Sequence, residues 1–152
     1  PRYLRTGTFL PRPSLRTLST AMDVGDPSNL ARILHLYGSD LARLRRDVSG
    51  RSVSDAETLA CMRRVRDATG YVLDPHSAVG MAALEEELAQ RPEAVGVLLA
   101  TAHPAKFAEI VEPALGETLP VPEQLARCLE GERRVVPMQP TSLALRDVLL
   151  EE

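Results

Sequence analysis

Aromatic residues and tryptophan in particular are scarce in this sequence. Phe, Trp and Tyr together make up 3% of the 152 residues, and tryptophan is absent. Proteins that bind single-stranded nucleic acid stack the bases on aromatic side chains, so this scarcity disfavours that class. The net charge of −3 likewise provides no basic surface for phosphate backbones. We therefore expect no nucleic-acid partner.

Cysteine, long apolar runs and an initiator methionine are the next features that are few or missing. The two cysteines, Cys61 and Cys128, lack the close spacing of a metal motif and any secretory context, which indicates reduced thiols and a cytoplasmic protein. The three histidines have no i, i+4 pairing, so we expect no metal site. No run approaches the roughly 18 apolar residues of a membrane helix. Because the chain begins at Pro1, we expect it to have been cut from a longer one.

The stretch from residue 95 to residue 107 has the pattern of a strand, a polar loop and a helix. Its apolar run predicts one buried β-strand at about 96–100. Thr101 and His103 follow, and Pro104 opens a helix predicted over 104–115. Ligands of open α/β sheets bind at the carboxyl ends of strands, so Thr101 and His103 are candidate ligand contacts. A hydroxyl group at such a position can also cap the next helix.

Apolar spacing of three and four residues predicts a helix-rich chain. Helices are expected at 29–47 with a break near Gly38, and at 54–69, 75–90, 122–129 and 141–151. Ser54 and Glu57 form a capping-box pattern, and Asp74 precedes Pro75 as an N-cap. The helix over 54–69 is expected to bury Leu59, Met62, Val65 and Ala68, and the next one Val79, Ala83 and Leu88. More than half of the residues should be helical.

The remaining segments show weaker patterns. Residues 1–20 contain three prolines without periodicity and are expected to be extended and irregular. Residues 71–73 are expected to form a minor strand or a tight connection, and residues 133–138 a short edge strand. Ser28 or Asn29 can cap the helix that follows it, or the free N–H groups at that helix start can face an anion. His76, in a first helical turn, suits a ligand contact or a structural hydrogen bond equally well.

Three separated motifs carry a resemblance to a known family. They read A-M-D-V-G-D-P-S-N at 21–29, D-P-H-S-A-V-G at 74–80 and T-A-H-P-A-K-F at 101–107. In this order they resemble the C-terminal part of threonine synthase, a pyridoxal-phosphate enzyme of the tryptophan-synthase β-like fold type. The resemblance covers residues 3–130. It implies an α/β fold, specifically the helix-rich C-terminal portion of a fold-type II enzyme with one buried strand and few minor strands.

The resemblance also implies a division of the chain and a reaction. Residues 1–20 would be an extended N-terminal segment, 21–130 the family-like core and 131–152 a tail that ends in a helix. The complete enzyme would convert O-phospho-L-homoserine and water into L-threonine and phosphate, using pyridoxal 5'-phosphate. By resemblance, Thr101 is expected to contact the pyridine nitrogen of the cofactor, with His103 beside it. The substrate site would be lined by Asp23, Ser28, Asn29 and His76, with Met22 nearby.

Two parts of a pyridoxal-phosphate site are missing from the sequence. Lys106 is the only lysine and does not stand in the family's Schiff-base motif, and no glycine-rich phosphate loop occurs. By resemblance, both belong to the N-terminal part of the enzyme. We therefore expect the isolated chain to be inactive. The alternative hypothesis is a non-catalytic module, derived from the same family, that binds a partner or self-associates through exposed apolar surface.

Overall fold

Helices dominate the computed structural model, which describes residues 2–20, 23–132 and 135–150. The chain divides into two compact units, Pro1–Pro120 and Val121–Glu152. The first unit contains six of the α-helices found in the described residues: α1 Arg2–Thr6, α2 Leu30–Tyr37, α3 Leu41–Asp47, α4 Asp55–Thr69, α5 Pro75–Gln90 and α6 Ala108–Leu115. The second unit contains α7 Glu123–Glu130 and α8 Ser142–Leu150. More than half of the chain lies in helices, as predicted.

The hydrophobic core of the first unit lies where α4, α5 and α6 pack together. It consists of small and medium-sized side chains that are almost completely buried: Cys61, Met62, Val65, Leu73, Ala78, Ala82, Val111, Ala114 and Leu119. Around this core, Arg66 forms a two-pronged ion pair with Glu117, with N–O distances of 2.7 and 2.8 Å. The Arg63 guanidinium donates to the carbonyl oxygen of Ala114 at 2.8 Å and so ties α4 to the end of α6.

The predicted helix boundaries of α4 and α5 are confirmed, because strong capping residues set them. The Ser54 side chain accepts the Glu57 N–H while the Glu57 carboxylate accepts the Ser54 N–H, which completes the capping box. Gly70 ends α4 in the left-handed conformation, at φ +76°. Asp74 caps α5 and Pro75 is its first residue. The predicted break in the first long helix is also confirmed, since Gly38 separates α2 from α3.

The predicted buried strand at 96–100 is wrong for this chain. These residues form neither strand nor helix, and Val95, Val97 and Leu99 are 91, 77 and 78% exposed. Of the residues in this segment, only Leu98 packs against the core. It lies so close to α5 that a β-carbon added to Gly80 would be 2.9 Å from Leu98 Cδ1. Within the described residues, no backbone hydrogen bond joins 95–100 to another segment. An apolar run becomes a buried strand only where neighbouring strands supply hydrogen bonds and cover its faces.

The other predicted strands are also absent from the described residues. Residues 71–73 form a connection in which Leu73 is buried, and residues 135–138 are irregular, whereas 133 and 134 lie outside the described residues. The predicted helix over 104–115 begins as a 3₁₀ turn, Pro104–Phe107, before α6. None of the described helices is long and apolar enough to cross a membrane.

The N-terminal segment is partly helical, which corrects the prediction of an extended chain over residues 1–20. After α1, the segment folds back along the first family motif. The Arg12 N–H donates to the Gly25 carbonyl at 3.3 Å, and the Gly25 N–H donates to the Ser14 hydroxyl at 3.0 Å. A β-carbon on residue 25 would lie 1.8 Å from the carbonyl oxygen of Arg12. Only glycine permits this approach of two backbones.

Candidate functional site

A buried carboxylate organises the start of α5. Asp74 is 1% exposed and accepts the backbone N–H groups of His76 and Ser77, at 2.9 and 3.4 Å. The Ser77 hydroxyl donates to its second oxygen. The Nδ1 atom of His76 lies 3.1 Å from Asp74 Oδ1, so the carboxylate holds the imidazole as well as the helix start. The N-cap prediction for Asp74 is therefore confirmed, and the same residue also orients His76.

His76 joins the second motif to the third. Its ring centroid lies 5.0 Å from that of Phe107, with the two planes at 59°. The Nε2 atom is buried and has no hydrogen-bond partner among the described residues, although the side chain as a whole is 20% exposed. Leaving a buried nitrogen unpaired costs about 1–3 kcal/mol. The structural hydrogen bond expected as one possibility is thus present at Nδ1.

The carboxylate of Asp23 in the first motif is also held by specific hydrogen bonds. Thr17 donates to it twice, from its hydroxyl at 2.7 Å and from its backbone N–H at 2.8 Å. These bonds lower the pKa of Asp23, and the nearby His76 and Arg16 lower it further, against the opposing effect of desolvation. Asp23 is therefore a fixed anion. His76 of the second motif packs against Phe107 of the third, so these two motifs meet in space.

The loop of the third motif leaves its hydroxyl group accessible. Thr101 is exposed, and it does not cap the following turn, because the Nδ1 atom of His103 accepts the Ala105 N–H at 3.1 Å in that role. His103 is itself exposed. Lys106, within the 3₁₀ turn, is exposed too. Of the two candidates at this loop, the structure assigns a local capping bond to His103 and leaves Thr101 facing outward.

Ser28 and Asn29 do not cap the helix that follows them, although the sequence allows that role. Ser28 and Asn29 are both exposed, and Asn29 stands before α2 in a helical conformation without any side-chain capping bond. The capping interpretation of these two residues is wrong, because a capping side chain needs an extended backbone to reach the helix N–H groups. Met22 lies outside the described residues.

Two residues of this region were not singled out by the sequence analysis. Thr17 fixes the Asp23 carboxylate, and Phe107 packs against His76. Phe107 is the last residue of the third motif, and Thr17 lies in a segment without periodicity. The Asp-Pro-His spacing could have indicated the Asp74–His76 pair, because an N-cap carboxylate is within reach of a side chain two residues later. No comparable pattern marks Thr17.

Known proteins match the chain along most of its length. The family described as threonine synthase, C-terminal, matches residues 77–148. Threonine synthase of Escherichia coli is 41% identical over 126 residues, which are 83% of this chain and 28% of that protein. Threonine synthase of one Buchnera aphidicola strain is 34% identical over 100% of this chain and 34% of its own length.

Solved structures give the same result in three dimensions. The crystal structure of the E. coli threonine synthase superposes with a TM-score of 0.82 at 37% identity and covers 99% of this chain and 34% of that one. A pyridoxal-phosphate-bound threonine synthase from Brucella melitensis matches 86% of the chain with a TM-score of 0.61 at 30% identity. These matches define the fold class of the chain, which is that of the helix-rich part of these solved enzymes.

Within that class, the chain belongs to the threonine synthase family and corresponds to its C-terminal part. The chain spans 28 to 34% of the length of the two curated relatives named above. The recognition based on the three motifs is therefore confirmed.

Proposed function

We propose that this chain supplies the C-terminal part of an enzyme that converts O-phospho-L-homoserine and water into L-threonine and phosphate. The observation that carries the proposal is the match to the E. coli threonine synthase over 99% of the chain, at 37% identity and a TM-score of 0.82. The contact between His76 of the second motif and Phe107 of the third supports it. A cytoplasmic location is consistent with two cysteines that are both free thiols.

The chain's residues fit one part of a pyridoxal-phosphate site. When bound, this cofactor supplies an electron sink for bond cleavage next to the substrate's amino group. Thr101 has an exposed hydroxyl that can hydrogen-bond to the pyridine nitrogen without adding a charge there. His103 stands beside it in the same loop. The Schiff-base lysine and the phosphate cradle are assigned to the N-terminal part of the enzyme, because Lys106 lies in another motif and no glycine-rich loop is present.

The substrate is assigned to the side of the site that the first two motifs form. Asp23 accepts hydrogen bonds from Thr17, and the Asp74 carboxylate accepts a hydrogen bond from Nδ1 of His76, so both side chains are held in place. Ser28 and Asn29 have exposed side chains that their own helix does not use. We assign these four residues to the lining of the substrate site.

The function is tested by Thr101→Val in a complete enzyme that carries this chain. Valine keeps the shape of threonine and removes the hydroxyl group. Losing a hydrogen bond to a buried ring nitrogen costs about 1–3 kcal/mol, which lowers turnover or cofactor affinity about ten- to hundredfold. Steady-state threonine formation and cofactor titration measure the two quantities.

Two control variants accompany that test. Thr118→Val removes a hydroxyl from an exposed threonine after α6 and should leave both quantities unchanged. Lys106→Met should keep the cofactor absorbance and turnover, since Lys106 is not the Schiff-base lysine. Full turnover in Thr101→Val together with loss of cofactor binding in Lys106→Met would overturn both residue assignments.

A second role, self-association of the isolated chain, rests on the exposed apolar side chains of Val95, Val97 and Leu99. Contiguous apolar surface of this kind typically marks an interaction site. We expect the isolated chain to form no threonine and to self-associate as its concentration rises. A monodisperse monomer at high concentration in light scattering would contradict the self-association.

A further inference from the structure

A cavity beside the first family motif collects positive charge. It has a volume of about 710 Å³ and is lined by Arg2, Arg5 and Arg12, whereas no aspartate or glutamate lines it. None of these three arginines forms an ion pair with another of the described residues. The volume is typical of sites for small ligands. The cavity therefore combines room for a small molecule with three positive charges that no carboxylate within it balances.

Hydrogen bonds fix the backbone on two sides of this cavity. The Arg45 guanidinium donates to the carbonyl oxygens of Leu4 and Arg5, at 2.6 and 2.8 Å, and so ties α1 to α3. The Arg12 N–H donates to the Gly25 carbonyl, which joins the segment after α1 to the first motif. The backbones that carry the arginines are thus held in place before a ligand binds. Such preorganisation lowers the entropic cost of binding.

The polar side chains that line the cavity are suited to a phosphate group. A guanidinium group carries a permanent charge and can donate two parallel hydrogen bonds to a phosphate. Hydroxyl groups, which can donate to further phosphate oxygens, are supplied by Tyr3, Thr8 and Ser52. Three cationic groups match a phosphate monoester, which carries up to two negative charges, better than they match a single carboxylate.

The cavity adjoins the part of the chain already assigned to the substrate. Arg12, Val24 and Gly25 also line a second cavity, of about 350 Å³, which contains Asp23. The two cavities therefore share these three residues. The Asp23 anion disfavours a phosphate group in the second cavity, and the arginines favour it in the first. A substrate with a phosphate group at one end can be oriented by this difference in charge.

We infer that the cavity lined by Arg2, Arg5 and Arg12 binds the phosphate group of the substrate. This inference rests on the proposed function, which supplies a substrate that carries such a group. The arginines bind the phosphate through charge and hydrogen bonds alone. The inorganic phosphate that the reaction releases should therefore bind in the same cavity.

Phosphate binding can be measured on the 152-residue chain without substrate or cofactor. In isothermal titration with inorganic phosphate at constant ionic strength, we expect saturable binding. Arg5→Gln and Arg12→Gln should each weaken it about ten- to hundredfold, because each removes a charged hydrogen-bond donor. Arg46→Gln makes the same charge change at an exposed arginine of α3 that does not line the cavity, and should leave binding unchanged. Absence of saturable binding, or equal weakening in all three variants, would overturn the inference.

The group of the substrate that is bound can be identified in a complete enzyme that carries this chain. We expect Arg12→Gln to raise the KM for O-phosphohomoserine about ten- to hundredfold. L-Homoserine is the substrate without its phosphate group, so its inhibition constant should be the same in the wild-type enzyme and in Arg12→Gln. A weakening of L-homoserine as large as that of the substrate would show that Arg12 does not act on the phosphate group, and would overturn the assignment.

Two further measurements on the complete enzyme separate this inference from other roles of the arginines. A weaker affinity for pyridoxal 5'-phosphate in Arg5→Gln and Arg12→Gln, with an unchanged KM, would assign the cavity to the phosphate of the cofactor instead. A loss confined to thermal stability would show that the cavity is covered by acidic side chains of the remaining protein. Either result would overturn the inference. Failure of the wild-type enzyme to form threonine would instead refute the proposed function, whereas phosphate binding by the chain would stand.

Discussion

The packed helices α4, α5 and α6 and the apolar segment 95–100 differ in how their backbone hydrogen bonds are satisfied and in how far their apolar side chains are buried. In the helices, most backbone N–H groups bond to a carbonyl oxygen within their own element, and Met62 and Val111 are 0% exposed. In segment 95–100, Leu98 reaches the core, while Val97 and Leu99 on either side are 77 and 78% exposed. Helices complete their hydrogen bonds locally, whereas a strand requires neighbours.

This difference explains how one chain can have a well-packed unit and an uncovered apolar surface. The chain spans 28% of the E. coli threonine synthase. We interpret segment 95–100 as an apolar surface that the remainder of such an enzyme covers. Thr101 follows directly, so the covering of the segment and the positioning of Thr101 for the cofactor are expected to occur together.

The largest difference between the two regions should appear on removing one large side chain from each. Met62→Ala deletes a side chain that is 0% exposed between α4 and its neighbours, and should lower the free energy of unfolding by about 2–5 kcal/mol. Leu99→Ala deletes a side chain that is 78% exposed, and should change it by less than about 0.5 kcal/mol. Urea unfolding of the isolated chain measures both. Comparable losses would show that segment 95–100 is packed in solution.

A smaller effect is expected from the cap that starts α4. Ser54→Ala removes both side-chain bonds of Ser54 to Glu57 and should cost about 1 kcal/mol at neutral pH, measured by thermal or urea unfolding. Thr118→Ala, on an exposed connection, is the matched control. An unchanged stability in Ser54→Ala would show that the capping box does not define the helix start in solution.

The pH dependence of stability sharpens the same test. Hydrogen bonds from the Ser54 N–H and hydroxyl, and then from Arg51, lower the pKa of Glu57 from 4.5 to about 2. The Glu57 carboxyl binds a proton less readily in the folded chain than in the unfolded one. The stabilisation that these hydrogen bonds give to the folded state is therefore complete above pH 4.5 and is lost as the pH falls through 4.5 towards 2. Ser54→Ala should flatten that part of the stability curve. A wild-type curve that is already flat there would contradict the bonds.

Local sequence patterns predicted the helices well because the determining interactions are local. The capping box at Ser54, the Asp74–Pro75 start and the terminating Gly70 act within a few residues of one another. The inward faces of the helices were predicted less well. In α4, Met62 and Val65 are buried as expected, but Ala68 is exposed. In α5, the buried side chains include Ala78 and Ala82, which the spacing did not predict. Side chains as short as alanine let α4 and α5 approach closely, which the spacing of larger apolar residues does not reveal.

The candidate site could be predicted only in part for a similar reason. The sequence motifs singled out Asp23, His76 and Thr101, yet the contact between His76 and Phe107 joins segments that lie far apart in the chain. Thr17 holds Asp23 from a segment with no periodic pattern. The strand prediction failed because the apolar run at 97–100 shows only that the segment can be buried. It does not show which elements would bury it, and the described residues contain no strand that pairs with it.

Amide hydrogen exchange of segment 95–100 tests most directly the claim that this segment is completed by the rest of a threonine synthase. In the isolated chain at low concentration, these amides should exchange at nearly the rate of an unstructured peptide, while those of α4 are protected. In a complete enzyme that carries this chain, their exchange should slow by at least about tenfold, as expected when surrounding protein covers the segment and bonds to its amides. Equally fast exchange of segment 95–100 in both proteins, with α4 protected in each, would contradict the account.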